Sequence, residues 1–460
     1  MKVCILLQAP REEGQETGLP SPGLYVSDHT FEHRFIDCEN IQAELSPTVG
    51  ENYDLYMNFL PWHLQGSDNI ATVNFAGIYV ESLGAPVIGI PSQILDSCRT
   101  NPSSNILHQN FTSEQGEDLG DEYACMVVEL IDTPVALSPV LRRSGTILKS
   151  SSNSSLYNSI RRLAEETFST RNLHGCPWCT ILICATNDGN LALTGINLLP
   201  QIFLPSTGQP SSIEDYTIRT SFPGSYRAFI NSLIASCFLK RESSLETPQD
   251  IGQEYDKVAP NYDAVTSGIY HDHVGKIVTK YNYDGLVLDL ACGTGFVARF
   301  NGEAQGLKAG DNSNASKFIG IEVSAQMRTE CLRHGWYKKI LLGPIQRVLV
   351  AYTNPVDHIT CIGALHYLDT NELSLVLSRA FQLASCSVTF TVDEITDSYK
   401  SAQSLRGLAH MGGLNHLGEV EAYGTPEGWK LADRWRHLGW NSPSTGHEIY
   451  TSIFRFERLA

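Results

Sequence analysis

The sequence predicts an α/β protein in two halves, the second built on a mostly parallel sheet with an antiparallel strand at one edge. Three observations predict it. Short apolar runs alternate with segments of helical spacing through both halves. A polar stretch, Arg241-Glu-Ser-Ser-Leu-Glu-Thr-Pro-Gln-Asp250, interrupts that pattern midway. The last residues, Glu448-Ile-Tyr-Thr-Ser-Ile-Phe-Arg-Phe-Glu457, alternate as a half-buried edge strand does. Domains are therefore expected at 1–240 and 254–460, with 241–253 as the linker.

The 460 residues are enough for two hydrophobic cores. With 33 Lys+Arg against 50 Asp+Glu the chain carries −17, a charge that repels phosphate backbones and argues against nucleic acid as a partner. An apolar share of 42% with 18% charged residues fits a globular protein. No apolar run reaches membrane-spanning length, so no membrane partner is expected. Met1-Lys-Val-Cys-Ile-Leu-Leu-Gln-Ala-Pro10 is too short for a leader and reads as the first strand. Twelve scattered cysteines suit reduced thiols in the cytoplasm.

In the first half, Tyr53–Leu60 reads as a strand, Asn74–Gly84 as a helix ending on glycine, and Pro86–Ile90 as the next strand. The Ser-, Asn- and Gly-rich stretches 100–122 and 143–156 read as loops. In the second half a helical segment, Glu254–Tyr281, precedes the strand Gly285–Leu290. Further strands are expected at Phe318–Val323, Lys339–Leu342, His358–Ile362 and Ser387–Val392, with helices between most of them.

The densest signal is Val287-Leu-Asp-Leu-Ala-Cys-Gly-Thr-Gly-Phe-Val-Ala298. A strand runs into Asp289, then a turn with glycines at 293 and 295, then a helix. Glycines let the backbone approach a ligand, and amides at a helix start can meet a carboxylate. Asp289 can attract an ammonium group, so an amino-acid moiety fits this turn better than a pyrophosphate. The next strand, Phe318-Ile-Gly-Ile-Glu322, ends in a carboxylate that suits a ribose diol.

These residues resemble the class I S-adenosylmethionine-dependent methyltransferases, and more narrowly the Williams–Beuren-region methyltransferase-like group. The lead-in Glu254-Tyr-Asp-Lys-Val-Ala-Pro-Asn-Tyr-Asp263 and the segment His358-Ile-Thr-Cys-Ile-Gly-Ala-Leu-His-Tyr-Leu368 carry the narrower likeness. The resemblance implies a Rossmann-like fold over roughly 250–460 and S-adenosylmethionine as cofactor. It implies that Asp289, Gly293 and Gly295 hold the methionine part and Glu322 the ribose. Tyr255 and Tyr262 would close the site, and Met327 would lie against the adenine. Two departures stand out. The polar stretch 301–316 shortens the first crossover helix, and Pro344 stands where related enzymes often carry an adenine-binding Asp.

A methyl acceptor with an O–H needs a general base. His366, where the fourth strand exits, is the first candidate, and His416 in the loop His410-Met-Gly-Gly-Leu-Asn-His416 is the second. Asp393 and Glu394 end the fifth strand at the same rim. Trp429, Trp435 and Trp440 with Arg434 and Arg436 are expected to pack under the last strand.

Residues 1–240 resemble the D-alanine–D-alanine ligase-like ATP-grasp proteins, through Tyr53–Pro91, Tyr123–Ala136, Trp178–Pro205 and Ser221–Ala235. That chemistry needs oxygen ligands for Mg²⁺. Leu182 and Gly195 stand at two of the ligand positions, and only Asn197 remains, so this half reads as a degenerate ATP-grasp domain without ligase activity. Cys176-Pro-Trp-Cys179 lacks a second ligand pair and reads as buried thiols, so no metal is expected. The expected activity is methyl transfer from S-adenosylmethionine to an oxygen or nitrogen of a small molecule, in secondary metabolism. The rivals are an ATP-dependent carboxylate–amine ligase and a non-catalytic cofactor-binding scaffold.

Overall fold

Runs of buried β-branched and aromatic residues draw the described part of the chain into three sheets. The computed structural model describes residues 1–9, 19–49, 53–63, 70–100, 121–143, 146–148, 155–186, 190–205, 212–241, 246–310 and 317–459. These residues fall into two units, Met1–Cys237 and Phe238–Ala460.

The first unit holds two sheets. Strands β1 (Lys2–Gln8), β2 (Thr30–Ile36), β3 (Leu55–Asn58) and β4 (Val87–Gly89) are parallel in the order β2-β1-β3-β4. Val3–Leu7 are buried without a break, as a central parallel strand requires. The other sheet is antiparallel. It contains β5 (Asp121–Leu130), β6 (Thr133–Ala136), β7 (Val140–Arg143), β8 (Thr146–Leu148), β9 (Trp178–Ala185) and β10 (Leu191–Asn197). The expected loop at 143–156 therefore contains strand β8 and the start of the helix Ser155–Thr170. Most of the expected loop at 100–122 lies outside the described residues.

The second unit is one seven-stranded sheet. Its strands are β11 (Val287–Leu290), β12 (Phe318–Glu322), β13 (Lys339–Leu342), β14 (Val356–Cys361), β15 (Ala384–Asp393), β16 (Trp429–Asn441) and β17 (Glu448–Arg458). They lie in the order β13-β12-β11-β14-β15-β17-β16. The first five are parallel, with helices on the crossovers; β17 and β16 run antiparallel. This is the Rossmann-like arrangement of an open doubly wound sheet with a reversed strand inserted near one edge.

Three expectations need correction. The last strand is not the edge: β17 lies between β15 and β16, and the tryptophan- and arginine-rich segment is itself the edge strand. The turn Ser442–Gly446 closes that hairpin through Gly446 N–H to Ser442 O at 2.8 Å. The linker 241–253 is helical from Glu246, within the helix Glu246–Val258, because Ile251 is buried. The helical segment 254–281 is broken into pieces, interrupted at Pro260 and at Gly268, whose φ is +90°. Of the polar stretch 301–316, residues through Ala304 complete the helix Phe296–Ala304, and 311–316 lie outside the described residues.

The core beside β15 and β17 is aromatic. Phe381 packs edge-on to Trp429 and Phe456, with ring centroids 5.1 and 5.2 Å away. Phe381→Ala is expected to cost about 3–5 kcal/mol. Chemical denaturation followed by fluorescence should register that loss; a change below about 1 kcal/mol would mean the site collapses around the gap.

Candidate functional site

The strand order reverses between β11 and β14, and loops leaving the carboxyl ends of those strands must diverge. A hollow of about 690 Å³, its open mouth included, lies there. The turn after β11, the ends of β12 and β14, and the helices preceding β11 line it.

Asp289, Gly293, Glu322, Met327, Tyr255 and Tyr262 all line this hollow. Asp289 is buried and accepts from Tyr337 Oη at 2.5 Å and from Thr360 Oγ1 at 2.7 Å. Burial outweighs those two donors and pushes its carboxyl up to about 7. Glu322 is also buried; its Oε2 accepts from Gly293 N at 2.8 Å and its Oε1 from Ser324 N at 2.9 Å. Burial likewise raises its carboxyl above the ordinary value, against those backbone donors.

The two glycines of the turn differ in task. Gly293 has φ +54°, and a Cβ placed there would meet nothing within 4 Å, so its missing side chain is open space on the hollow. Gly295 does not line the hollow. A Cβ there would stand 2.9 Å from Cys331 Sγ and 3.1 Å from the Tyr337 ring, so it is glycine for packing, with φ +99°. Its expected role in holding the ligand is replaced by that close approach.

The Tyr-Asp…Tyr-Asp lead-in divides its labour by residue. Tyr255 and Tyr262 face the hollow, while the following aspartates anchor the segment. Asp256 Oδ1 accepts from Ser324 Oγ at 2.5 Å and Gln326 N at 2.9 Å. Asp263 accepts from Thr294 Oγ1 at 2.6 Å and Arg299 Nη1 at 3.0 Å. The lead-in is thereby tied to the loops after both β12 and β11. Sequence reading missed Tyr270 and Tyr367, which complete the tyrosine wall; the Tyr255 and Tyr367 hydroxyls are 3.0 Å apart. Burial pushes the Tyr255 hydroxyl up to about 12 and raises Tyr262, Tyr270 and Tyr367 as well, so all four remain protonated. The run of tyrosines at 255, 262 and 270 was the available signal.

The histidines sit elsewhere. His366 is buried next to the lining residue Tyr367 but does not line the hollow. Its Nδ1 lies 2.9 Å from Asp393 Oδ2, and a side chain on Gly413 would collide with its ring. His416 is buried and its Nε2 donates to Leu368 O at 2.8 Å, with burial holding it below the ordinary histidine value. It pins a turn and does not line the hollow. Pro344 starts the helix Ile345–Ala351, outside the lining. In the first unit, Leu182 pairs with Gly195 across β9 and β10, and Asn197 Oδ1 accepts from Leu199 N at 3.0 Å. Cys176 and Cys179 are fully buried, and the Cys176 thiol donates to Trp178 O at 3.0 Å. Among the described residues no group of three His, Cys, Asp or Glu is placed to hold a metal, and no helix is long and apolar enough to cross a membrane.

No protein-family model matches this chain, and none of the curated proteins does. Solved structures are similar to it in part. Magnesium protoporphyrin IX methyltransferase (ChlM) from Synechocystis PCC 6803 with bound SAM is 13% identical over 48% of this chain and 100% of its own, with a TM-score of 0.34. A SAM-dependent methyltransferase from Thermotoga maritima, described as a possible histamine N-methyltransferase, is 13% identical over 46% of this chain and 98% of its own, at a TM-score of 0.32.

Asp289 holds a proton in the folded state that the unfolded chain has released above its ordinary value of 3.8. Its contribution to stability is complete below that value and is lost as pH rises through about 7. Asp289→Asn cannot ionise, so its melting temperature should gain on the native chain by a few degrees between pH of about 5 and about 9. Parallel melting curves across that range would contradict the burial argument.

Proposed function

We propose that the second unit is an S-adenosylmethionine-dependent methyltransferase acting on an oxygen or nitrogen of a small molecule. The observation that carries the reading is the open space at Gly293, flanked by two buried carboxylates at a strand-order reversal. The residues present suit the cofactor. An ammonium group beside Asp289 would favour its ionised form against burial, and the backbone at Gly293 leaves open space for a ligand. Glu322, at the end of β12, has a carboxylate for the ribose hydroxyls. Met327 and Val323 supply apolar surface for the adenine. Gly295 acts one step back, keeping the turn pressed on Cys331 and Tyr337.

When bound, the cofactor supplies a methyl group already activated on a sulfonium. The chain's task is then alignment and exclusion of water. The tyrosine wall supplies protonated hydroxyls and apolar ring faces around that position. Asp289, held by Tyr337 and Thr360, places its carboxyl without a mobile side chain. The acceptor is a small molecule, and its setting in secondary metabolism follows from the resemblance of the two halves. The first unit is a degenerate ATP-grasp domain: Leu182 and Gly195 occupy ligand positions, and the Asn197 carbonyl is engaged by its own turn.

Calorimetric titration with S-adenosylmethionine and, separately, with Mg-ATP tests the reading. Binding is expected with the first and none with the second. Asp289→Ala should weaken cofactor binding by about 10- to 100-fold, the equivalent of the 1.5–3 kcal/mol of a bond to a charged group. Heat from Mg-ATP alone would favour the ligase, and silence with both would favour a scaffold.

A further inference from the structure

Asp289 lines the hollow as a buried carboxyl, and two hydroxyls reach it from opposite sides. In the sheet it lies in register with Gly320 on β12 and with Thr360 on β14. Thr360 is a direct neighbour and donates to Oδ1 at 2.7 Å. The other donor is remote: Tyr337 lies between the helix Ala325–His334 and β13, one strand further out. Its hydroxyl reaches Asp289 Oδ2, at 2.5 Å, past Gly320. A Cβ on Gly320 would stand 3.3 Å from Tyr337 Cδ1 and 2.5 Å from Cys292 Sγ. Glycine inside a strand weakens it unless something must come close, and here the tyrosine ring does.

The Tyr337 ring is fixed by its neighbours. Phe318 packs edge-on to it with centroids 5.8 Å apart, and Lys338 N donates to Phe318 O at 2.9 Å, which ties the loop to β12. Tyr337 is itself buried, and burial holds its hydroxyl well above the ordinary range, so it remains a donor. Among the described residues no cation pairs with Asp289. The other titratable groups that feel its charge are Glu322 on β12, Tyr270 on the helix Ile269–Lys280, Tyr283 before β11, Cys292 in the turn and Cys361 on β14. Each of these is an acid, so none favours a charge on Asp289. The hydroxyls of Tyr337 and Thr360 do.

We infer that Tyr337, with Thr360, is a positioning residue for the ammonium group of the cofactor: the two hydroxyls hold Asp289 as a carboxylate facing that ammonium, and binding releases the carboxyl proton to solvent. The inference rests on the methyltransferase reading and adds to its cofactor site a residue that does not line the hollow. A donor to the ionised form lets that form exist at lower pH, so loss of either hydroxyl keeps Asp289 protonated to higher pH. A ligand that needs the charge then loses affinity on the acid side and recovers it on the alkaline side. A ligand without an ammonium group is indifferent.

The test is calorimetric titration of the full chain with S-adenosylhomocysteine, which carries the amino-acid end, and with 5′-methylthioadenosine, which lacks it. At a pH of about 6 the native chain should release roughly one more proton with the first ligand than with the second, read from buffers of different ionisation heat. Tyr337→Phe keeps the ring; it should weaken S-adenosylhomocysteine binding about 10-fold at a pH of about 6 and less than about twofold at about 9. Thr360→Val should show the same convergence, and it carries the test if Tyr337→Phe does not fold. Neither variant should change 5′-methylthioadenosine binding by more than about twofold at any pH. A loss that is the same at every pH, or the same for both ligands, marks a merely structural role and overturns the inference. Unchanged binding in both variants overturns it too, as does native binding of S-adenosylhomocysteine without the extra proton; the methyltransferase reading survives all of these. Failure of the native chain to bind S-adenosylmethionine or S-adenosylhomocysteine removes that reading, and the inference with it.

Discussion

The amide of Gly293 donates to the buried carboxylate of Glu322 across the ends of two neighbouring strands. That bond joins the turn after β11 to the end of β12, at a carboxyl that burial raises above its ordinary value. Backbone amides from Gly293 and Ser324 converge on it and offset part of the cost of burying it. The turn is thereby fixed open beside Asp289. The hollow, the left-handed backbone at Gly293 and the close packing at Gly295 all presuppose it.

The same economy governs the lead-in helices. Tyr255 and Tyr262 are each followed by an aspartate that fastens the segment to a loop of the sheet, Asp256 to Ser324 and Asp263 to Thr294. The wall of the hollow is therefore held by hydrogen bonds one residue away from its lining. Alteration of an aspartate would displace a tyrosine without touching it.

Much of this was legible in the sequence. The strands of the second half, Asp289, Gly293, Glu322 and the lead-in could be read because strand periodicity and glycine chemistry are local properties. What escaped was non-local. Nothing in the string places Tyr337 under Asp289, since the contact joins residues 48 apart in sequence. Gly295 looked like Gly293 because a glycine does not announce whether its missing side chain leaves open space or makes room for a neighbour. The order of the last two strands escaped for a similar reason: alternation marks β17 as a strand and says nothing about a partner on each side. Histidines 366 and 416 were alike as letters; one lies beside a carboxylate and the other beside a carbonyl.

The outermost strand, β16, has a further consequence. Thirteen residues long and, among the described residues, unpaired on one side within its sheet, it presents a row of backbone groups on which another polypeptide could polymerise. Irregularities between Leu431 and Asp433 and between Leu438 and Trp440 break that row into short pieces. Lys430, Asp433, Arg434 and Arg436 set charge along it, with Arg436 clamped to Glu394 and Arg434 to Glu421. The margin of the sheet thus resists aggregation by its own geometry and charge.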